Sequence, residues 1–214
     1  MVLFSAHYAL FLGAALALII TPGPDMVYIV SRGIVQGRAA GVLSALGVCC
    51  GVIVHTLAAA LGLALLLQTS MVAYYTVKYM GAVYLIYLGV KNLAGKQNLS
   101  LNKTGMKQSS GSLFWQGFVT DVLNPKMALF FLSFLPQFID HRAAMPALQM
   151  IVLGLSYFLL SLLVLTVIAL LSGKIGSMLS GKQNIGRKIQ WLPGCVLIGL
   201  GLSMALPGVG GNRP

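Results

Sequence analysis

Asp25 and Asp121 are two of the three acidic residues in a chain of 214, and both lie in apolar stretches, Asp25 next to Pro24 and Asp121 four residues before Pro125. A carboxylate there can hold an ammonium group or carry a proton, and ionisable residues inside apolar spans are functional by default. Lys126 supplies the opposite charge within the same kind of stretch. Asn124, three residues from Asp121 and so on the same helix face, offers an amide to a ligand or to freed backbone groups. His55 is the one histidine well inside an apolar run, and an imidazole that titrates near neutrality can relay protons. A hydrogen-bonded interior histidine is the plainer reading of the same residue. Asp25, Asp121 and His55 are therefore the candidates for proton coupling. The set matches the two poles of a zwitterion: the carboxylates would take an ammonium group, and Lys126 or a helix N-terminus would take a carboxylate.

The elements that position these groups are two helices broken at prolines. Thr21-Pro22-Gly23-Pro24-Asp25 loses two backbone donors and gains two ring clashes, with a permissive glycine between them. Pro24 suits the first turn of a resumed helix, and Asp25 then stands where a helix N-terminus favours an anion. The second break is Asp121-Val122-Leu123-Asn124-Pro125-Lys126, where Asn124 is pushed out of helical geometry by the proline after it. Broken backbone is tolerated in a membrane only where protein or a water-filled cavity satisfies it. The two breaks are read as a substrate site. The plainer alternatives are a capped kink at Asp25 and a structural Asp–Lys pair holding two half-helices together. Counting from residue 3 places the first break about 27 Å along its helix, near the inner surface. Counting from residue 113 places the second after about 16 Å, near the bilayer centre.

Composition requires a membrane around these breaks. Hydrophobic residues make up 58% of the chain and charged residues 8%, with mean hydropathy +0.91. A soluble domain carries roughly 25% charged residues. Apolar runs fall at about 3–31, 39–67, 71–93, 113–138, 147–171 and 190–207. The expected fold is all-α and polytopic, with about six transmembrane helices, the first and fourth of them broken. A polar linker at about 94–112 separates a first repeat (about 1–93) from a second (about 113–214). Pro22 and Pro125, Leu46-Gly47 and Leu153-Gly154, and Leu85 to Gly89 and Leu197 to Gly201 recur in the same order. Three spans per half would insert the halves in opposite orientations, the inverted-repeat plan of many secondary transporters.

The net charge of +11 comes from Lys and Arg placed between the apolar runs. Loops one, three and five carry most of them, so these loops are expected in the cytoplasm and both termini outside. This placement argues against a nucleic-acid partner. Cys49, Cys50 and Cys195 lie in apolar runs without metal spacing and read as packing residues. Gly47 and Gly51 make a small-xxx-small pattern suited to close helix contact. Tyr74, Tyr75 and Tyr79 suit an interface belt, while Tyr84 and Tyr87 are deeper and suit a cavity. No Lys or Arg precedes Arg32, so the first run is expected to stay as a helix rather than leave as a signal peptide. The chain has no GxxxxGK[ST] loop, no metal-ligand cluster and no assembled Ser-His-Asp set, so neither cofactor nor metal is expected and the chain does not read as an enzyme.

On Thr21 to Asp25, Ser31-Arg32-Gly33 to Gly37-Arg38, Ala40 to Gly51, Lys78 to Gly89, Asn124-Pro125-Lys126 and Phe134 to Ile139, the chain resembles the LysE/RhtB-type amino-acid exporters from about residue 5 to 205. The resemblance implies a transporter in the bacterial cytoplasmic (inner) membrane. It would export amino acids or their small derivatives by proton antiport, with lipid, protons and a small molecule as partners. A monomer and a homo-oligomer are both compatible with it. It carries a substrate-binding role onto Pro22, Gly23, Pro24, Asp25, Asn124, Pro125 and Lys126. The alternatives are an exporter of another solute or metal cation, which would want more oxygen ligands, and a membrane protein that transports nothing.

Overall fold

The computed structural model describes residues 6–69, 71–94, 107–139, 145–172, 194–202 and 205. Helix α1 (Ala6–Ile20) leads into α2 (Pro24–Gln36), then α3 (Arg38–Thr69) and α4 (Met71–Leu93). Helix α5 (Ser110–Val122) leads into the short α6 (Pro125–Leu129), which continues through a π-helical turn (Phe130–Phe134) and a 3-10 turn (Leu135–Phe138). Helix α7 is Pro146–Leu170, and residues 194–202 are helical. The described residues form no strand.

This is an inside-out arrangement suited to lipid. Leu61, Val83, Leu123, Leu159 and Leu163 are exposed, while Asp25, Asp121, Asn124, Lys126 and His55 are buried. Within α3, Arg38–Gly62 is long and apolar enough to cross a membrane, and so is α7. Two bent pairs each qualify as one further crossing. Tyr8–Ile20 meets α2 at 53°, and α5 meets Pro125–Phe138 at 47°. The fold is therefore all-α and polytopic. Helix α4, at 23 residues, is long enough to cross, but its tyrosines and two lysines make it less apolar.

The bends have local causes. Pro24 and Pro125 each occupy the first turn of a resumed helix, where a missing N–H matters least. Gly23 and Asn124 precede them in extended conformations, as a following proline demands. Pro136 removes another backbone donor and lies just past the π-helical turn, the widening by which a helix absorbs such a defect.

Helix α3, 32 residues and about 48 Å long, runs through the middle of the packing. It meets α5 backbone to backbone: a side chain at Gly47 would strike the Phe114 carbonyl, and one at Gly117 would strike the Ser44 carbonyl. The expected close approach at Gly47 is thus real, with α5 as its partner. Gly154 of α7 likewise leaves space for Thr56 of α3. The aromatic core is Phe11, Phe130, Phe131, Phe134 and Tyr157.

One boundary differs from the expectation. Helix α5 starts at Ser110 rather than at 113, because Ser109 caps it by accepting a hydrogen bond from the Ser112 N–H. The rest of the expected linker, 95–106, and the basic loop around Lys182 lie outside the described residues.

Candidate functional site

The two breaks meet. Asn124 is the N-cap of α6, and its side-chain oxygen accepts the Lys126 backbone N–H at 3.0 Å. Its amide nitrogen donates to Asp25 Oδ2 at 2.6 Å, across 99 residues of sequence. One side chain therefore caps the second break and holds the acid of the first. Contact at this distance puts both breaks at one level. The first break therefore does not stand apart from the second, nearer the inner surface, as counting along the helices suggested: the Asn124–Asp25 contact joins them.

Lys126 closes the junction from the other side. Its ammonium donates to the carbonyls of Leu18 and Thr21, each at 3.3 Å. These belong to the C-terminal end of α1, where carbonyls lack helical partners and a cation is favoured. No carboxylate lies within 4 Å of Lys126 among the described residues, so the structural Asp–Lys pair is not formed as a contact. Gly23 lies beneath this ammonium: a Cβ there would sit 3.1 Å from Lys126 Nζ. Its φ of −161° is extended backbone open to any residue, so proximity to Lys126, not conformational freedom, accounts for glycine here.

Asp121 occupies the last turn of α5 and is buried against Gly51, whose missing side chain makes its space. A Cβ at Gly51 would lie 2.5 Å from Asp121 Oδ2. His55, one turn further along α3, has Nε2 2.9 Å from the Asp121 backbone oxygen and 3.7 Å from Oδ2. Asp25 Oδ1 and Asp121 Oδ2 are buried without a hydrogen-bond partner. Unpaired acceptors at such depth are costly, and they mark where a donor or proton would be welcome.

Asp25, Asp121 and Lys126 line one cavity, with Val48, Val52, Met127 and Leu165 among its apolar walls. Its volume is about 20 Å³, enough for a water and far too small for an amino acid. The remaining expected site residues stand back from it. Asn124 and His55 position the acids, and Pro22 is buried inside the break. Pro24 and Pro125 face outward and shape the backbone. Tyr84 and Tyr87 line an outward apolar groove with Tyr79 and Met80 instead of this cavity.

Two cavity residues escaped the sequence reading. Tyr157 and Ser161 of α7 lie one turn apart and both line the cavity. Tyr157 donates to Met127 Sδ at 3.5 Å, and Ser161 to Cys49 Sγ at 3.6 Å. The signal was present: polar residues spaced i, i+4 halfway along a 25-residue apolar helix, where an interface tyrosine does not belong.

The pattern of the LysE type translocator matches residues 16–208. A leucine efflux protein of Klebsiella pneumoniae is 28% identical over 203 residues, covering 93% of this chain and 94% of the relative. An uncharacterized membrane protein of Bacillus subtilis is 31% identical over 203 residues, covering 90% and 95% respectively. An uncharacterized membrane protein of Pseudomonas aeruginosa is 30% identical over 192 residues, covering 87% and 89%. No solved structure matches. With two broken, apolar helix pairs joined at buried charges, the chain belongs to the LysE-type translocators, which are transporters and not enzymes.

Proposed function

We propose that this translocator exports neutral α-amino acids with apolar side chains across the bacterial inner membrane, in exchange for protons. The observation that carries the substrate class is the cavity where the breaks meet. Its polar groups supply one cation and two carboxylates, and most of its walls are Ile, Met, Val and Leu. A zwitterion places its ammonium at Asp25 and its carboxylate at Lys126 and the α2 N-terminus. The side chain is then left to apolar walls, with no further acid to recognise a basic one. That a relative is named a leucine efflux protein agrees with this choice.

Proton exchange follows from formal charge. With His55 neutral, two carboxylates and one ammonium leave the buried site at −1, and a net buried charge is expensive. A proton on one carboxylate removes it; a zwitterion adds no net charge, but its ammonium repels a proton held close by, so the two oppose each other. Asp25 stands at a helix N-terminus and Asp121 at a helix C-terminus, and only the first favours an anion. Asp25 is thus assigned to the ammonium and Asp121, beside His55, to the proton. The two halves would act as inverted repeats rocking about the joined breaks, with both termini outside.

The substrate class is tested by efflux from preloaded cells. Overexpression is expected to speed efflux of labelled leucine, isoleucine or methionine and leave lysine unchanged. Faster lysine efflux without leucine efflux would contradict the assignment.

A further inference from the structure

Arg32 lies on a second cleft, outside the central cavity. This cleft, of about 390 Å³, separates α2 from α5 and is lined by Tyr28, Arg32, Ser112, Trp115, Gln116 and Thr120 among others. It is large enough for an amino acid where the central cavity is not. We propose that it is the cytoplasmic vestibule of the transporter, in which Arg32 receives the carboxylate of an incoming α-amino acid before it reaches Asp25 and Lys126. This rests on the amino-acid reading above.

Four observations carry the proposal. First, Arg32 has no carboxylate within 4 Å among the described residues; its guanidinium lies over the Tyr28 ring, 5.7 Å from the centroid. A planar guanidinium so placed keeps its donor fork for a bidentate oxyanion. Second, the walls are fixed. Tyr28 donates to the Leu113 carbonyl at 2.8 Å, and Gln36 to the Gln108 carbonyl at 3.0 Å, tying α2 to α5 and to the segment before it. Third, polar residues lead inward on both walls. On α2, Arg32, Tyr28 and Asp25 are spaced by four and three, one helix face, with Arg32 about 10 Å from Asp25 along the axis. On α5, Ser112, Gln116 and Thr120 form a row that ends beside Asp121. Fourth, Trp115 is 61% exposed at the cleft, a flat apolar surface for the side chain of an apolar amino acid. Gln116 donates to Ser112 Oγ at 3.4 Å and Thr120 to the Gln116 carbonyl at 2.6 Å, so it is the Arg32 charge that would be costly against lipid, and a wet cleft removes that cost. Arg32 and Arg38 flank the turn after α2, on the side that the distribution of positive charge assigns to the cytoplasm.

The test compares the two faces of the membrane. Labelled leucine transport is measured in inside-out vesicles, which present the cytoplasmic face, and counterflow is measured in right-side-out vesicles. In Arg32→Gln the cytoplasmic KM is expected to rise about tenfold, as for loss of a charge-assisted bidentate contact. The maximal rate is expected to stay within about twofold, the outer-face KM to be unchanged, and Arg32→Lys to fall between. Wild-type protein that carries no amino acid at all would sink the transport reading itself. Active wild type with an unchanged cytoplasmic KM in Arg32→Gln, or with equal shifts on both faces, would overturn the vestibule alone. So would a KM shift that disappears in vesicles made only of zwitterionic lipid, since Arg32 would then serve a net-anionic lipid headgroup.

Discussion

Asn124 is the residue on which the junction of the two breaks turns. Its oxygen caps α6 and its amide holds Asp25, so Asn124→Leu, similar in shape but without either group, removes both interactions. Losing a hydrogen bond to a charged group costs about 1.5–3 kcal/mol. The variant is expected to unfold in detergent at clearly lower temperature than wild type and to lose transport. Full transport in Asn124→Leu would mean that the breaks need no such link. Gly51 makes a finer probe, because a single methyl there meets Asp121 Oδ2. Gly51→Ala should cost about 1–3 kcal/mol of overpacking and lower transport. Gly13→Ala, where a Cβ meets nothing within 4 Å, is the matched control and should do neither. Equal behaviour of the two in a thermal shift and uptake assay would remove Gly51 as the seat of Asp121.

At the scale of elements, α3 and α5 cross where glycines bring their backbones together. Gly117→Leu must push α5 away from the Ser44 carbonyl and is expected to cost about 1–3 kcal/mol or more. Thermal unfolding in detergent measures it, with Gly111→Leu, which faces open space, expected to match wild type. Much of this level was legible in the residues. Prolines announced both broken helices, because their effect is local, and Gly47 announced a close crossing. What stayed hidden was long-range: no spacing rule joins Asn124 to Asp25, or Lys126 to carbonyls of α1 a hundred residues earlier. The relative depth of the breaks was hidden for the same reason, since the contact between Asn124 and Asp25 is what relates them. Tyr157 and Ser161 were missed because a polar pair in a long apolar helix does not say which helix it faces.

For the whole molecule, the central cavity of about 20 Å³ cannot admit the proposed substrate, so its transport through this site requires the cavity to widen. Ser161 lines that cavity and is buried, which makes it a reporter of opening. In a chain whose native cysteines are replaced by alanine, Ser161→Cys should resist a membrane-impermeant maleimide at rest. Labelling should rise severalfold when leucine and a proton gradient are supplied. A rate unaffected by substrate would argue that the site does not open during transport.

The central claim is that the joined breaks couple an amino acid to a proton, with Asp25 holding the ammonium and Asp121 the proton. It is tested most directly in proteoliposomes loaded with labelled leucine, with and without an inward proton gradient. Wild type should show gradient-driven efflux. Asp121→Asn should keep leucine exchange but lose its response to the gradient, and Asp25→Asn should lose both. Gradient-driven efflux that survives in both variants, or that wild type shows for no amino acid, would contradict it.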